Sequence, residues 1–171
     1  MELSEIMRHR RSVRKYTDEP VPEDALEKIL QAALLAPTSM NKRPWEYYVI
    51  KDRQILKELS QAKQHGAALL EGCDTAVAVF ADSDLSDVWV EDCSIALAYM
   101  DLMASSLGVG SCWVQMRNRR DQSGSDAEEN VRNALGVELP YRIVGILALG
   151  MPAEDKAPYD LQSLMWDKVH R

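Results

Sequence analysis

The stretch from Asp87 to Leu107 constrains this chain most, because it is helical in spacing and apolar on nearly every face. Cys93, Ala96, Met100, Met103 and Leu107 form a heptad-like seam, while Ile95, Leu97, Ala98, Leu102 and Ala104 fill the remaining sides. A helix that is apolar all round must be covered all round. The cover is either the core of the domain alone or, over part of it, the surface of a second subunit. Thr75–Ala81 is a continuous apolar run that reads as a strand buried on both faces.

The rest of the chain supplies the layers. Leu26, Ile29, Leu30, Ala33 and Leu34 make a single stripe on a helix that opens at Pro22-Glu23-Asp24 and ends before Pro37. Glu46–Ile50 and Arg142–Gly150 read as further strands, residues 52–64 as a helix, and Asp126–Leu135 as a helix capped by Asp126 and stopped by Gly136. Ser4 is placed as the cap of a short N-terminal helix. Gly108–Met116 closes the long helix and begins a strand, the reverse of the strand-then-helix order a dinucleotide fingerprint needs. Residues 117–125 are expected to form an exposed, mobile polar loop.

With 171 residues, 46% of them hydrophobic, the chain suits one domain spanning 1–171. Residues 152–171 have too few apolar positions to form a core and are expected to lie as an arm on a partner subunit. No apolar run reaches the roughly 20 residues of a membrane span, and the start lacks a leader-like apolar stretch. A cytoplasmic protein is expected. Cys73, Cys93 and Cys112 form no paired motif, and His9, His65 and His170 are scattered, so no metal site is expected.

Charge is unevenly placed. Residues 1–15 carry five cations against two carboxylates, +3, inside a chain of net charge −7, so the remainder carries −10. The knot Arg10-Arg11-Ser12-Val13-Arg14-Lys15-Tyr16 sets guanidinium, hydroxyl and guanidinium at alternate positions, which an extended chain points the same way. Forked donors around a hydroxyl suit a phosphate. A solvated basic arm or a nonspecific nucleic-acid contact fits the same residues, although a pI near 5.0 argues against nucleic acid as the main partner. Pro37-Thr38-Ser39-Met40-Asn41-Lys42-Arg43-Pro44-Trp45 holds hydroxyls and an amide at the mouth of a strand, where they are equally ordinary turn formers.

RRSVRKY, APTSMNKRPW, the apolar helix ending in GVGSCW and the late strand ending in ALGMP, in this order and spacing, resemble the FMN-dependent nitroreductase family over almost the whole chain. The resemblance implies an α+β fold: a three-layer α/β/α sandwich with a central, mostly antiparallel sheet, in an intertwined homodimer holding FMN in two interfacial clefts. It implies Arg10 and Ser12 on the phosphate, Arg11 beside them, and Arg14 at the pyrimidine edge of the ring. Pro37, Thr38, Ser39 and Asn41 match a loop reaching the flavin of the other subunit. Trp113, Val114, Gln115 and Met116 match the strand against the reactive face, and Lys156 a second phosphate cation.

The activity implied is transfer of hydride from NADH or NADPH through flavin N5 to a nitroaromatic, quinone or related small-molecule acceptor, by a ping-pong cycle. The flavin carries that chemistry, so no catalytic side chain is expected. Reductive dehalogenation, ene reduction, or flavin binding and storage with little turnover are the alternatives. Two departures stand out: Arg43 replaces the Gln that often precedes Pro-Trp, and the chain lacks the helical excursion of larger members.

Overall fold

The computed structural model describes residues 2–171; Met1, the first residue of the expected single domain, lies outside them. The elements in order are α1 (Leu3–His9), α2 (Glu23–Leu34), β1 (Trp45–Ile50), α3 (Arg53–Gln61), β2 (Thr75–Asp82), α4 (Trp89–Ser106), β3 (Gly110–Gln115), α5 (Ala127–Leu135) and β4 (Tyr141–Gly150). The strands form one sheet, ordered β1-β2-β4-β3, and every pairing is antiparallel.

β2 is central because it has nothing polar to show to water between Ala76 and Ala81. Ala76, Ala78 and Phe80 face the cluster built with α3 and α5, while Val77, Val79 and Ala81 face the cluster built with α2 and α4. Two faces, each covered by helices, make the three-layer sandwich. A bulge at Val79/Phe80 shifts the β2–β4 register by one, opposing Val79 to Gly145 and Phe80 to Ile143.

Local chemistry sets the helix ends. Asp52 caps α3 through the Gln54 and Ile55 N–H groups, Asp126 caps α5 through the Glu128 N–H, and Gly136 closes α5 at φ 65° in the left-handed region. Ser4 is not a cap. It lies inside α1, whose N-terminal flank is Glu2 with no side-chain capping bond, so the helix begins two residues earlier than the hydroxyl suggests.

α4 buries Trp89, Asp92, Cys93, Ala96, Leu97, Met100 and Ala104. Ile95, Ala98 and Tyr99 remain exposed, and with Leu3, Ile6, Met7 and Leu102 their neighbourhood opens an apolar groove of about 340 Å³ between α1, α2 and α4. Residues 161–169 form two 3₁₀ turns whose Leu161, Leu164, Met165, Trp166 and Val169 are all exposed. Among the described residues no helix is long and apolar enough to cross a membrane.

The polar loop at 117–125 is closed by its own bonds. Asp121 Oδ1 accepts from the Ser123 N–H and hydroxyl and from the Ser125 N–H, Asp121 Oδ2 accepts from Asn130 Nδ2, and Arg120 bridges to Asp126. The loop is exposed, as expected, but turned tightly on one carboxylate.

Candidate functional site

The basic knot leaves α1 as extended chain and is laid against two other elements. Ser12 bridges to Ser111 of β3, the Val13 N–H donates to the Ser111 carbonyl at 2.8 Å, and Tyr16 bridges to Pro152. The segment after β4 then returns along the same stretch. Ala153 N–H donates to the Lys15 carbonyl, Tyr159 N–H donates to the Arg8 carbonyl, and the Arg14 N–H donates to Glu154 Oε1 at 2.6 Å.

This layering frames an open polar pocket of about 210 Å³ lined by Arg11, Ser12, Arg14, Lys156 and Tyr159. Three cations and two hydroxyls line it, and no carboxylate does. Lys156 donates to the Ser12 carbonyl and pairs with Glu154 at 3.1 Å; Arg11 donates to the Ala157 carbonyl; Arg14 Nη1 donates to the Ser12 carbonyl at 3.3 Å. Arg11 and Arg14 are thus held by backbone oxygens, which orient them without answering their charge, while Lys156 shares its charge with Glu154. Such a cradle suits a phosphate dianion.

Arg10 is placed differently from its neighbours. Its Nη1 meets Asp101 Oδ2 of α4 at 3.3 Å and its Nη2 donates to the Tyr159 hydroxyl at 3.2 Å, so it flanks the cavity instead of lining it. Asp101 Oδ1 also accepts the Ser111 hydroxyl at 2.6 Å, which ties the basic stretch, β3 and α4 at one carboxylate.

The Pro37–Asn41 loop is anchored elsewhere. The Ser39 N–H donates to Asp92 Oδ1 at 2.9 Å, and Ser86 donates its hydroxyl to Asp92 Oδ2 at 3.0 Å. Met40, Asn41 and Arg43 take positive φ of 51°, 56° and 49°, a costly conformation for three non-glycine residues in four. The Thr38 hydroxyl accepts the Arg43 N–H, and Arg43 Nε donates to Asn41 Oδ1 at 2.9 Å, so Arg43 folds back on its own loop. Asp92 and Asp101 stand nine residues apart on α4, about 13 Å along the axis. Within one chain the loop and the cradle are therefore separate.

β3 is an edge strand of the sheet, its start covered by Ser12 and Val13. Val114 and Met116 send their side chains into the core, so only their backbone is available to a ligand, while Trp113 and Gln115 stay half-buried and joined by Trp113 Nε1 to Gln115 Oε1 at 3.0 Å. Lys63 Nζ donates to the Gln115 carbonyl at 2.9 Å; burial, then the nearby Arg119 charge, lowers its pKa. Burial pushes the Cys73 and Cys93 thiols up to about 12, so neither supplies a thiolate near neutrality. Asp92, Asp101 and Tyr159 escape a reading of motifs. The available signal is chemical: Asp92 and Asp101 are acidic residues inside an otherwise apolar helix.

Fold and site define an α+β sandwich with an anion cradle at the edge of its sheet. The Nitroreductase family model matches residues 7–82 and 65–151. A protein of Archaeoglobus fulgidus, provisionally named NADH dehydrogenase/NAD(P)H nitroreductase, is 35% identical over 95% of this chain and 92% of its own. The NADH dehydrogenase of Thermus thermophilus is 30% identical over 87% of this chain and 86% of its own. Among solved structures, the FMN-dependent nitroreductase from Clostridium difficile R20291 superposes with a TM-score of 0.95 at 41% identity, covering 97% of this chain and 96% of that one. The chain belongs to the nitroreductase family.

Proposed function

We propose that this protein is an FMN-dependent NAD(P)H oxidoreductase working as a homodimer, with a nitroaromatic, quinone or related small molecule as acceptor. The carrying observation is the cavity lined by Arg11, Ser12, Arg14, Lys156 and Tyr159, a carboxylate-free cradle beside an edge strand. It fits the phosphate of FMN, the cofactor named for the similar Clostridium difficile structure. NAD(P)H stands in the name of the Archaeoglobus relative.

Bound FMN would supply hydride uptake at N5 from NADH or NADPH and delivery to the acceptor. The residues of this chain do the rest. Ser12, Lys156, Arg10 and Arg11 hold the phosphate end, and Arg14 offers a fixed cation to the pyrimidine edge, where reduction places negative charge. The edge strand Trp113–Met116 offers backbone groups that β4 does not use. Pro37, Thr38, Ser39 and Asn41 cover the flavin of the partner, consistent with their anchor Asp92 lying about 13 Å along α4 from Asp101, the partner of Arg10. The exposed apolar side of α4, its groove and the apolar residues of 161–169 are the surfaces a second copy would bury. With one cleft for both substrates, donor and acceptor alternate in a ping-pong cycle.

Anaerobic addition of NADH or NADPH to purified, FMN-loaded protein should bleach the flavin absorbance, and a nitroaromatic or quinone should restore it. A flavin that neither donor bleaches would point to storage instead. A preparation that takes up no FMN would remove the proposal.

A further inference from the structure

Tyr159 lies beyond the last strand, in a segment whose spacing announces no site; it is 45% exposed, yet three arginines hold it. Its N–H donates to the Arg8 carbonyl at 3.0 Å, and its carbonyl accepts from Arg8 Nε at 3.1 Å. The Arg11 guanidinium carbon stands 4.7 Å from the ring centroid, and the Arg10 carbon 6.0 Å. Arg10 Nη2 donates to the hydroxyl oxygen at 3.2 Å. A phenol that accepts through its oxygen still has a proton to give. Among the described residues that proton has no acceptor, and the residue lines the cationic cavity.

Arg10 divides its donors between Asp101 and Tyr159. Part of its charge is therefore answered by a carboxylate, and the guanidinium polarises the phenol it touches. A polarised O–H beside three cations is a strong donor to an anionic oxygen and adds no further charge to a crowded cluster. The ring on Arg11 keeps the hydroxyl in place.

We propose that Tyr159 is a phosphate-binding residue, donating its O–H to an oxygen of a phosphomonoester seated among Arg11, Ser12 and Lys156, and that it sets the preference for FMN over riboflavin. This rests on the flavin reading above. The ligand chemistry is that of a terminal phosphate dianion, which riboflavin lacks.

Tyr159→Phe keeps the ring on Arg11 and removes only the donor. Apoprotein is titrated with FMN and separately with riboflavin, following flavin fluorescence. The FMN dissociation constant of the variant should rise about ten- to a hundredfold, the loss of one hydrogen bond to a charged group, with riboflavin affinity unchanged. An FMN affinity within about twofold of the unsubstituted protein, or equal losses for both flavins, overturns the assignment. Unsubstituted apoprotein that binds neither flavin, or both equally, overturns the cradle itself and the assignment with it. Circular dichroism and thermal midpoint equal to those of the unsubstituted protein establish that the variant is folded, and Tyr159→Trp, which retains a ring with a single N–H donor, should recover part of the FMN preference.

Discussion

The Asp92 carboxylate accepts the backbone N–H of Ser39 at 2.9 Å, a bond from the first turns of α4 to a loop 53 residues earlier. Asp92 is 2% exposed, and its second oxygen takes the Ser86 hydroxyl. Its position near the start of α4 also favours negative charge there. The bond ties to α4 a loop in which Met40, Asn41 and Arg43 all stand at positive φ.

Asp92→Ala should therefore destabilise the fold by about 2–4 kcal/mol, leaving the buried Ser86 hydroxyl and the half-buried Ser39 N–H without acceptors. Asp92→Asn keeps an oxygen for Ser39 and should cost about 1 kcal/mol. Urea unfolding midpoints test the order; an alanine variant as stable as the parent would refute the anchor.

Gly145 opposes Gln115 across the sheet, and a Cβ built on it would fall 2.7 Å from Trp113 Nε1 and 3.0 Å from the Val114 carbonyl oxygen. The indole can turn aside, but the carbonyl cannot. Gly145→Ala should cost about 1–3 kcal/mol through overpacking and disturb the Trp113–Gln115 contact. Thermal midpoint and tryptophan emission report the two effects, and a variant unchanged in both would show that β3 yields more readily than its packing indicates.

Where a residue's own neighbours decide its structure, the sequence was readable. The apolar run of β2, the stripe of α2 and the left-handed Gly136 are local facts of that kind, and each lies where its pattern placed it, except that Leu34 at the end of the stripe is exposed. The basic knot was equally plain as a concentration of charge. Its internal division was not, because Arg10 turns to Asp101, 91 residues away, while Arg11 lines the cavity. Spacing says which side chains leave the backbone together; it does not say which distant carboxylate takes one of them. Ser4 shows a similar limit, since a hydroxyl near a helix start caps only if the backbone turns there.

Subunit exchange tests whether each cleft is composite. If the loop acts across the proposed homodimer, an Arg10→Ala chain mixed with a Ser39→Trp chain gives heterodimers in which one cleft receives both defects and the other neither. About half the heterodimer clefts should then regain normal FMN affinity. No recovery after confirmed exchange would mean that the loop serves the flavin of its own chain.

Glu154 brings a pH dependence. The Arg14 N–H, first, and then Lys156 hold its carboxyl below the ordinary 4.5. A depressed carboxylate contributes stability that is fully present above its unfolded value and lost as pH falls through the lower, folded one. Acidification below about 4.5 should therefore lower the thermal midpoint more in the parent than in Glu154→Gln. Parallel curves for the two proteins would assign Glu154 no part in holding the segment.

Ser12 and Val13 lie along the start of β3, the outermost strand on that side of the sheet. An unpaired strand border invites a stranger's strand. The residues that would grip a cofactor phosphate are thus the ones standing guard against aggregation, and a preparation stripped of its ligand should be the one that clouds first on standing.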